Sequence, residues 1–188
     1  MQRITVEERA DWKAQAEQGG FYQALASGKY LEKGLDVKII QGNANTNIPR
    51  LLASNSIDFG MGSNSFIPLN MVVNNIPGKA VMAIFQKDPQ IIMTHSNNVI
   101  ESIEDIKDFP IMIADASIGG FWLWLKSKYN FKDSQIRKKT ISLAPFLNDI
   151  SSIQQGYLTS EPYLYEQITG NQPKVFLMAD YGLSLIHI

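Results

Sequence analysis

Short apolar stretches typical of strands alternate along this chain with stretches typical of helices, and this alternation limits the fold more than any other feature. Residues 35–40 alternate apolar and polar side chains, which is typical of a half-buried strand. Residues 48–54 follow good N-cap residues and carry Pro49 in their first turn, which predicts a helix. A repeated βαβαβ order of this kind predicts an α/β fold with mainly parallel sheets.

The predicted elements fall into two groups on either side of a polar stretch at residues 86–90. We predict strands at residues 4–6, 35–40, 57–62, 80–85, 90–94, 111–114, 140–143, 157–160 and 174–178. We predict helices at residues 20–29, 48–54, 66–73, 102–107, 121–129, 148–155 and 161–168. Two small lobes joined by a hinge, each with a mainly parallel sheet, are the preferred architecture, and one continuous sheet is the alternative.

The composition excludes several classes of function. The 188 residues carry 17 Lys and Arg against 18 Asp and Glu, so the net charge of −1 gives no sign of nucleic-acid binding. The chain has no cysteine, which excludes disulfides, Cys-ligated zinc and a cysteine nucleophile. His95 and His187 do not form a metal-binding pair because His187 lies in the terminal tail. Since no phosphate loop or dinucleotide motif occurs either, we expect no metal and no cofactor.

The two ends of the sequence predict a fragment of a longer protein. The polar start at residues 1–10 has no secretory signal, so either the protein is cytosolic or a leader is absent. No apolar run approaches the ~20 residues that are needed to span a membrane. The mostly apolar end at residues 183–188 predicts a truncated reading frame.

Polar and aromatic side chains follow the predicted strands, which is where open α/β sheets bind their ligands. The candidate ligand-binding residues are Trp12, Gln15, Glu17, Asn43, Asn45, Ser63, Asn64, Ser65, Phe85, Lys87, Asp115, Trp122 and Glu161. Aromatic rings can stack on a small heterocycle, while amide, hydroxyl and carboxylate groups bind its edges. A structural role is the alternative for several of them, with Trp122 as a core residue and Asn43 and Asn45 as turn formers. This set favours recognition of a ligand over catalysis.

A basic stretch between residues 126 and 139 has two interpretations. It contains Lys126, Lys128, Lys132, Arg137, Lys138 and Lys139. A solvated face of the second lobe is the favoured interpretation, and a contact with a partner is the alternative.

Several motifs resemble those of the NMT1/THI5-like family. In chain order they are Trp12 with Gly19-Gly20-Phe21-Tyr22, Gly28-Lys29-Tyr30, Gly34-Leu35-Asp36-Val37, Ile57-Asp58-Phe59-Gly60, Phe85-Gln86-Lys87-Asp88-Pro89, and Gln154-Gln155-Gly156-Tyr157 with Ser160-Glu161-Pro162. The resemblance covers most of the chain, and the motifs follow the order that they have in the family.

The resemblance implies the two-lobed fold of type II periplasmic binding proteins, which hold a ligand between the lobes. We expect a first lobe at residues 1–87, a second lobe at 88–178 and the start of a return to the first lobe at 179–188. Members of this family are mostly solute-binding proteins of bacterial ABC importers. The implied partners are therefore a small-molecule ligand and a membrane permease, without nucleic acid. The implied protein is a periplasmic or membrane-anchored monomer, not an enzyme, and has no cofactor.

Charges in the candidate loops favour one class of ligand. Glu17, Asp115 and Glu161 are carboxylates, which pair with an aminopyrimidine edge and repel an anion. We therefore expect a thiamine-precursor pyrimidine or a similar nitrogen heterocycle, with alkanesulfonate, taurine or nitrate as the alternative. A pyrimidine-biosynthesis enzyme of the same family is a second alternative, disfavoured because the chain has no cysteine and its first lobe has no histidine. A ligand-sensing regulatory domain is a third.

Overall fold

A computed structural model of the chain describes residues 4–43 and 45–183, except for the side chain of Ala116. The described chain divides into two compact units, one ending at Met82 and the other beginning at Ala83. The expected lobe boundaries, 1–87 and 88–178, stay a prediction. So does the expected return at 179–188, of which residues 184–188 lie outside the described residues.

The first unit is built around a parallel sheet of three strands in the order β2-β1-β3. Its strands are β1 (Ile4–Arg9), β2 (Leu35–Ile40) and β3 (Phe59–Gly60), and its helices are α1 (Gly19–Ala26), α2 (Lys29–Glu32), α3 (Ile48–Ala53) and α4 (Phe66–Val73). Gly28 separates α1 from α2 with a φ of 74°, which a side chain would strain. Asn47 caps α3 by accepting the backbone N–H of Arg50 at 3.0 Å.

The second unit holds a mixed sheet of five strands in the order β6-β5-β7-β4-β8. Its strands are β4 (Gln90–Thr94), β5 (Ile111–Ile113), β6 (Ile136–Lys138), β7 (Ile153–Tyr157) and β8 (Lys174–Leu177), and its α-helices are α5 (Leu123–Tyr129), α6 (Ala144–Asn148) and α7 (Glu161–Thr169). Strand β4 runs against the other four strands of this sheet. The parallel pairs in both sheets confirm the predicted α/β class.

The core of the second unit is apolar and fully enclosed. Ile91 and Met93 of β4 and Phe146 of α6 have no exposed surface, and Met112 and Tyr165 pack in the same cluster. This packing stabilises the sheet from which the loops of the second unit extend. After β8, Met178–Tyr181 form a 3-10 turn. Among the residues that the structure describes, no helix is long and apolar enough to cross a bilayer.

The strand predicted at residues 80–85 is wrong. This segment has no regular structure, and Val81 and Met82 expose 76% and 67% of their surface. A strand satisfies its backbone N–H and C=O groups only when a neighbouring strand pairs with it. No strand of the described sheets pairs with this segment. Apolar composition alone was therefore misleading here.

Three further predictions are wrong, namely the strand at residues 140–143, the helix at 148–155 and the strand at 157–160. Strand β6 lies before the strand predicted at residues 140–143. Its Arg137 and Lys138 are exposed and charged, as in a solvated surface. Strand β7 contains Gln154 and Gln155, which are buried although their amides are polar. Neither strand shows the apolar pattern by which strands are recognised.

A buried histidine joins β4 to α6 and α7. The His95 ring is 5% exposed and stacks on Phe146 with 4.1 Å between the ring centroids. His95 Nε2 lies 3.0 Å from the Phe146 carbonyl oxygen, and Nε2 is the donor because a carbonyl only accepts. His95 Nδ1 then accepts the Tyr165 hydroxyl at 3.4 Å. The hydroxyl thus satisfies a nitrogen that water cannot easily reach.

Tyr165→Phe is expected to lower the free energy of unfolding by about 1 kcal/mol, because it leaves Nδ1 of His95 buried without its donor. Urea-induced unfolding followed by circular dichroism measures this loss. Tyr163→Phe is the matched control, since Tyr163 lies on the same helix and is 63% exposed. Equal losses in the two variants would contradict the role assigned to the Tyr165 hydroxyl.

Candidate functional site

The loops after β1, β2 and β3 meet at one edge of the first sheet, because parallel strands end on the same side. The N–H of Gly42 donates to the Trp12 carbonyl at 2.9 Å and joins the loop after β2 to the loop after β1. A β-carbon on Gly42 would lie 2.3 Å from the Ala10 carbonyl oxygen. Only glycine allows this approach, so the two loops are held against each other by backbone contacts.

The residues predicted from the loop after β1 lie near this edge. Trp12 and Glu17 are half-buried, so part of the surface of each residue is accessible. The N–H of Gln15 donates to the side-chain oxygen of Gln18 at 2.9 Å. That bond begins the 3-10 turn that leads into α1, which gives Gln15 a local structural role.

Asn43 and Asn45 form a turn, as the alternative to a ligand-binding role predicted. The Oδ1 of Asn43 accepts the N–H of Asn45 at 2.9 Å, and the N–H of Asn43 donates to the Thr46 hydroxyl at 2.8 Å. Both asparagines are exposed. Turn formation accounts for the side chain of Asn43.

The loop after β3 places its three predicted residues in different environments. Asn64 is 6% exposed, and its Oδ1 accepts the N–H of Phe66 at 3.1 Å, which helps to start α4. Ser63 and Ser65 are half-buried. Ser63 faces the loop after β1, where it meets a residue that the sequence prediction missed.

That residue is Asp11, which directly precedes Trp12. Its carboxylate accepts hydrogen bonds from the hydroxyl and the backbone N–H of Ser63. Burial raises the pKa of the Asp11 carboxyl, the hydrogen bonds lower it, and the nearby charge of Glu17 raises it. The sequence gives no local signal for Asp11, because its burial and its hydrogen bonds depend on Ser63 in the loop after β3, far along the chain.

A second polar edge lies in the second unit. The carboxyl ends of β5, β6, β7 and β8 share one side of the sheet, and the start of β4 lies there too because β4 is antiparallel. The N–H of Leu158, just after β7, donates to the carbonyl of Pro89, just before β4, at 2.9 Å. The loops at this edge carry Asp115 and Glu161 and the segment that contains Lys87.

A buried ion pair lies beneath this second edge. The Nζ of Lys139 is 2.7 Å from Oε1 of Glu161, and only 5% and 6% of the two side chains are exposed. The other carboxylate oxygen of Glu161 accepts the N–H of Tyr157 at 2.8 Å. A β-carbon on Gly156 would lie 3.1 Å from that oxygen, so the carboxylate packs closely over β7. Both oxygens of Glu161 are therefore engaged within the protein.

A second hydrogen-bonded link connects β7 to the loop after β5. Gln155 donates its amide to the Ser117 hydroxyl at 2.8 Å and accepts the N–H of Ala114 at 3.1 Å. Asp115 is exposed and lies 3.9 Å from the Nζ of Lys138. The buried groups of this edge are joined by hydrogen bonds, and Asp115 is exposed beside them.

The other predicted residues of this unit differ in exposure. Trp122 is 1% exposed, and its Nε1 donates to Asp133 at 2.7 Å, so the ring is part of the core. Phe85 is half-buried. Lys87 is exposed and forms an ion pair with Asp180. With 1% of its surface exposed, Trp122 presents almost no surface to a ligand.

The basic stretch is partly neutralised by neighbouring groups. Lys126 pairs with Asp133 at 2.7 Å, and Lys132 lies 3.8 Å from Asp108. In the described ranges, no group of three or more His, Cys, Asp and Glu side chains could hold a metal ion.

The fold is similar to that of solved periplasmic binding proteins. The aliphatic sulphonate binding protein SsuA from Escherichia coli shares 13% identity and a TM-score of 0.58, with 95% of this chain and 58% of that protein covered. The alkanesulfonate-binding protein SsuA from Xanthomonas axonopodis pv. citri, bound to MOPS, shares 12% identity and a TM-score of 0.57, with coverages of 93% and 61%. The tungstate ABC transporter structure from Geobacter sulfurreducens shares 10% identity and a TM-score of 0.57, with coverages of 93% and 79%.

These likenesses concern the fold, since all three identities are low. The chain spans 58% of the length of the Escherichia coli protein. A comparison with curated proteins finds no match. The sequence profile described as "NMT1/THI5 like" matches residues 15–186, which confirms the resemblance of the motifs, and the chain therefore belongs to the NMT1/THI5-like family.

Proposed function

We propose that this protein is the solute-binding component of a bacterial ABC importer, working outside the cytoplasm as a monomer. It binds a small polar molecule and presents it to a membrane permease, without making or breaking a bond. The observation that carries this proposal is the meeting of three polar loops at the carboxyl edge of the first sheet. Such an edge is where open α/β sheets bind small ligands. Membership of the family supports the same function.

The proposed ligand is a thiamine-precursor pyrimidine or a similar nitrogen heterocycle. At the first edge, the half-buried Trp12 offers a ring for stacking and Glu17 offers a carboxylate for an amino group. The second unit carries an exposed carboxylate of its own, Asp115. These groups attract N–H donors and repel anions.

A sulfonate is the second candidate. It is favoured by the fold similarity to two proteins that are described as sulfonate-binding. Lys87 at the edge of the second unit is a cation that an anion could approach, although it is paired with Asp180. Taurine and nitrate belong to the same anionic class.

Trp12→Ala is expected to weaken binding of hydroxymethylpyrimidine by roughly 5- to 150-fold, because base–aromatic stacking contributes roughly 1–3 kcal/mol. Isothermal titration calorimetry at fixed pH measures the dissociation constant. Trp124→Ala is the matched control, since Trp124 lies on α5 and its ring contacts Tyr129 and Lys128. Equal dissociation constants for Trp12→Ala and the unaltered protein would remove Trp12 from the site.

The enzymatic alternative makes a different prediction for the same ligand. A pyrimidine-biosynthesis enzyme would release a pyrimidine as its product, whereas a solute-binding protein recovers its ligand unchanged. Mass spectrometry of the ligand after incubation with the protein separates the two. A pyrimidine that appears when the protein is incubated with candidate precursors and no added pyrimidine would favour the enzyme.

A further inference from the structure

We infer that Asp11 selects the charge of the ligand, accepting N–H donors and rejecting anions. This inference rests on the proposed function, which names the sheet edge as the ligand site without assigning Asp11 a role. On this inference Asp11, rather than a residue of the second unit, mainly determines whether the protein prefers a heterocyclic amine or a sulfonate.

The position of Asp11 follows from the order of the strands. Strand β1 is the central strand of the first sheet, so the loops after β2 and β3 flank the loop that follows it. The contact between Gly42 and Trp12 brings the β2 loop to one side of Asp11. Ser63 brings the β3 loop to its carboxylate. The side chain thus lies where all three loops meet.

Burial raises the pKa of the Asp11 carboxyl, and the hydrogen bonds around it act in the opposite direction. Its carboxylate accepts the hydroxyl and N–H of Ser63 as well as its own backbone N–H, and such bonds stabilise the ionised form. The other charge that acts on it is Glu17, which is also negative.

Burial of a carboxylate costs free energy, and a ligand that donates hydrogen bonds to it can offset this cost. An amino or amidine edge supplies N–H donors that form charge-assisted hydrogen bonds with it. A sulfonate, nitrate or tungstate anion at the same edge would instead meet two negative side chains. The same geometry therefore attracts one class of ligand and repels the other.

The test compares hydroxymethylpyrimidine with taurine and methanesulfonate by isothermal titration calorimetry. We expect the unaltered protein to bind the pyrimidine more tightly than either sulfonate. Asp11→Asn is expected to reduce this preference at least about tenfold. The affinity for the pyrimidine falls, while the affinity for the sulfonates stays the same or rises. Asp36→Asn is the control, because Asp36 is an exposed carboxylate near the opposite end of β2.

A merely structural role of Asp11 would weaken both ligand classes by the same factor, and that result would overturn the inference. Glu17→Gln provides a second variant if Asp11→Asn does not fold, since it removes the neighbouring negative charge and keeps a side chain of similar size. It is expected to shift the preference in the same direction by roughly threefold. A sulfonate preference in the unaltered protein would contradict the inference but keep the proposed function. Binding of no compound in this panel would contradict both.

Discussion

Lys139→Met is expected to lower the free energy of unfolding by about 3–5 kcal/mol. Lys139 and Glu161 form an ion pair at 2.7 Å with about one-twentieth of each side chain exposed. The substitution leaves the Glu161 carboxylate buried without the cation that pairs with it. The resulting desolvation cost is larger than the net value of the pair itself, because the intact pair also had to be removed from water.

Two further variants test this explanation. Lys139→Met combined with Glu161→Gln is expected to recover most of the lost stability, since no unpaired charge then remains buried. Lys138→Met is the matched control, because Lys138 is 68% exposed and its nitrogen lies 3.9 Å from Asp115. That control is expected to change stability by less than about 0.5 kcal/mol. Equal losses for the Lys138 and Lys139 variants in urea unfolding would contradict the buried-pair account.

Asp88→Asn is expected to stabilise the protein at pH 7 by on the order of 3 kcal/mol and to leave its stability near pH 4 almost unchanged. Asp88 is 1% exposed, and its burial raises the pKa of the carboxyl from 3.8 to about 6. Its Oδ1 accepts the N–H of Gln90 at 2.8 Å at the start of β4. Asparagine keeps an acceptor at this position but carries no charge.

The direction of the pH dependence follows from the raised pKa of Asp88. The folded protein binds this proton more tightly than the unfolded chain does, so the contribution is fully present below about pH 4 and is lost as the pH rises through about 6. Unfolding free energies at several pH values, measured for both proteins, give the difference directly. Asp108→Asn is the control, because Asp108 is 69% exposed. A constant difference between Asp88→Asn and the unaltered protein from pH 4 to 7 would contradict the assignment.

Strands with a regular apolar pattern were predictable from the sequence. The predictions at residues 35–40, 90–94 and 174–178 agree with β2, β4 and β8 to within one residue. Strand β7 was not predictable, because Gln154 and Gln155 are buried by neighbouring strands that lie far away in the sequence. Such burial depends on the completed sheet and leaves no local signal.

The candidate residues show the same division between local and long-range information. The turn formed by Asn43 was predictable because its partners Asn45 and Thr46 are close in sequence. The pairing of Glu161 with Lys139 spans 22 residues, so the sequence indicated a free carboxylate where the structure has a paired one. Asp11 was missed because its environment depends on contact with Ser63, which lies far along the chain.

Equilibrium dialysis with hydroxymethylpyrimidine, followed by recovery of the ligand and mass spectrometry, tests the central claim most directly. The claim is that this protein binds a small heterocycle reversibly and does not transform it. We expect saturable binding of one ligand per chain and recovery of the ligand with its mass unchanged. Conversion of the compound to a different mass, or saturable binding of sulfonates with none of the pyrimidine, would contradict this account.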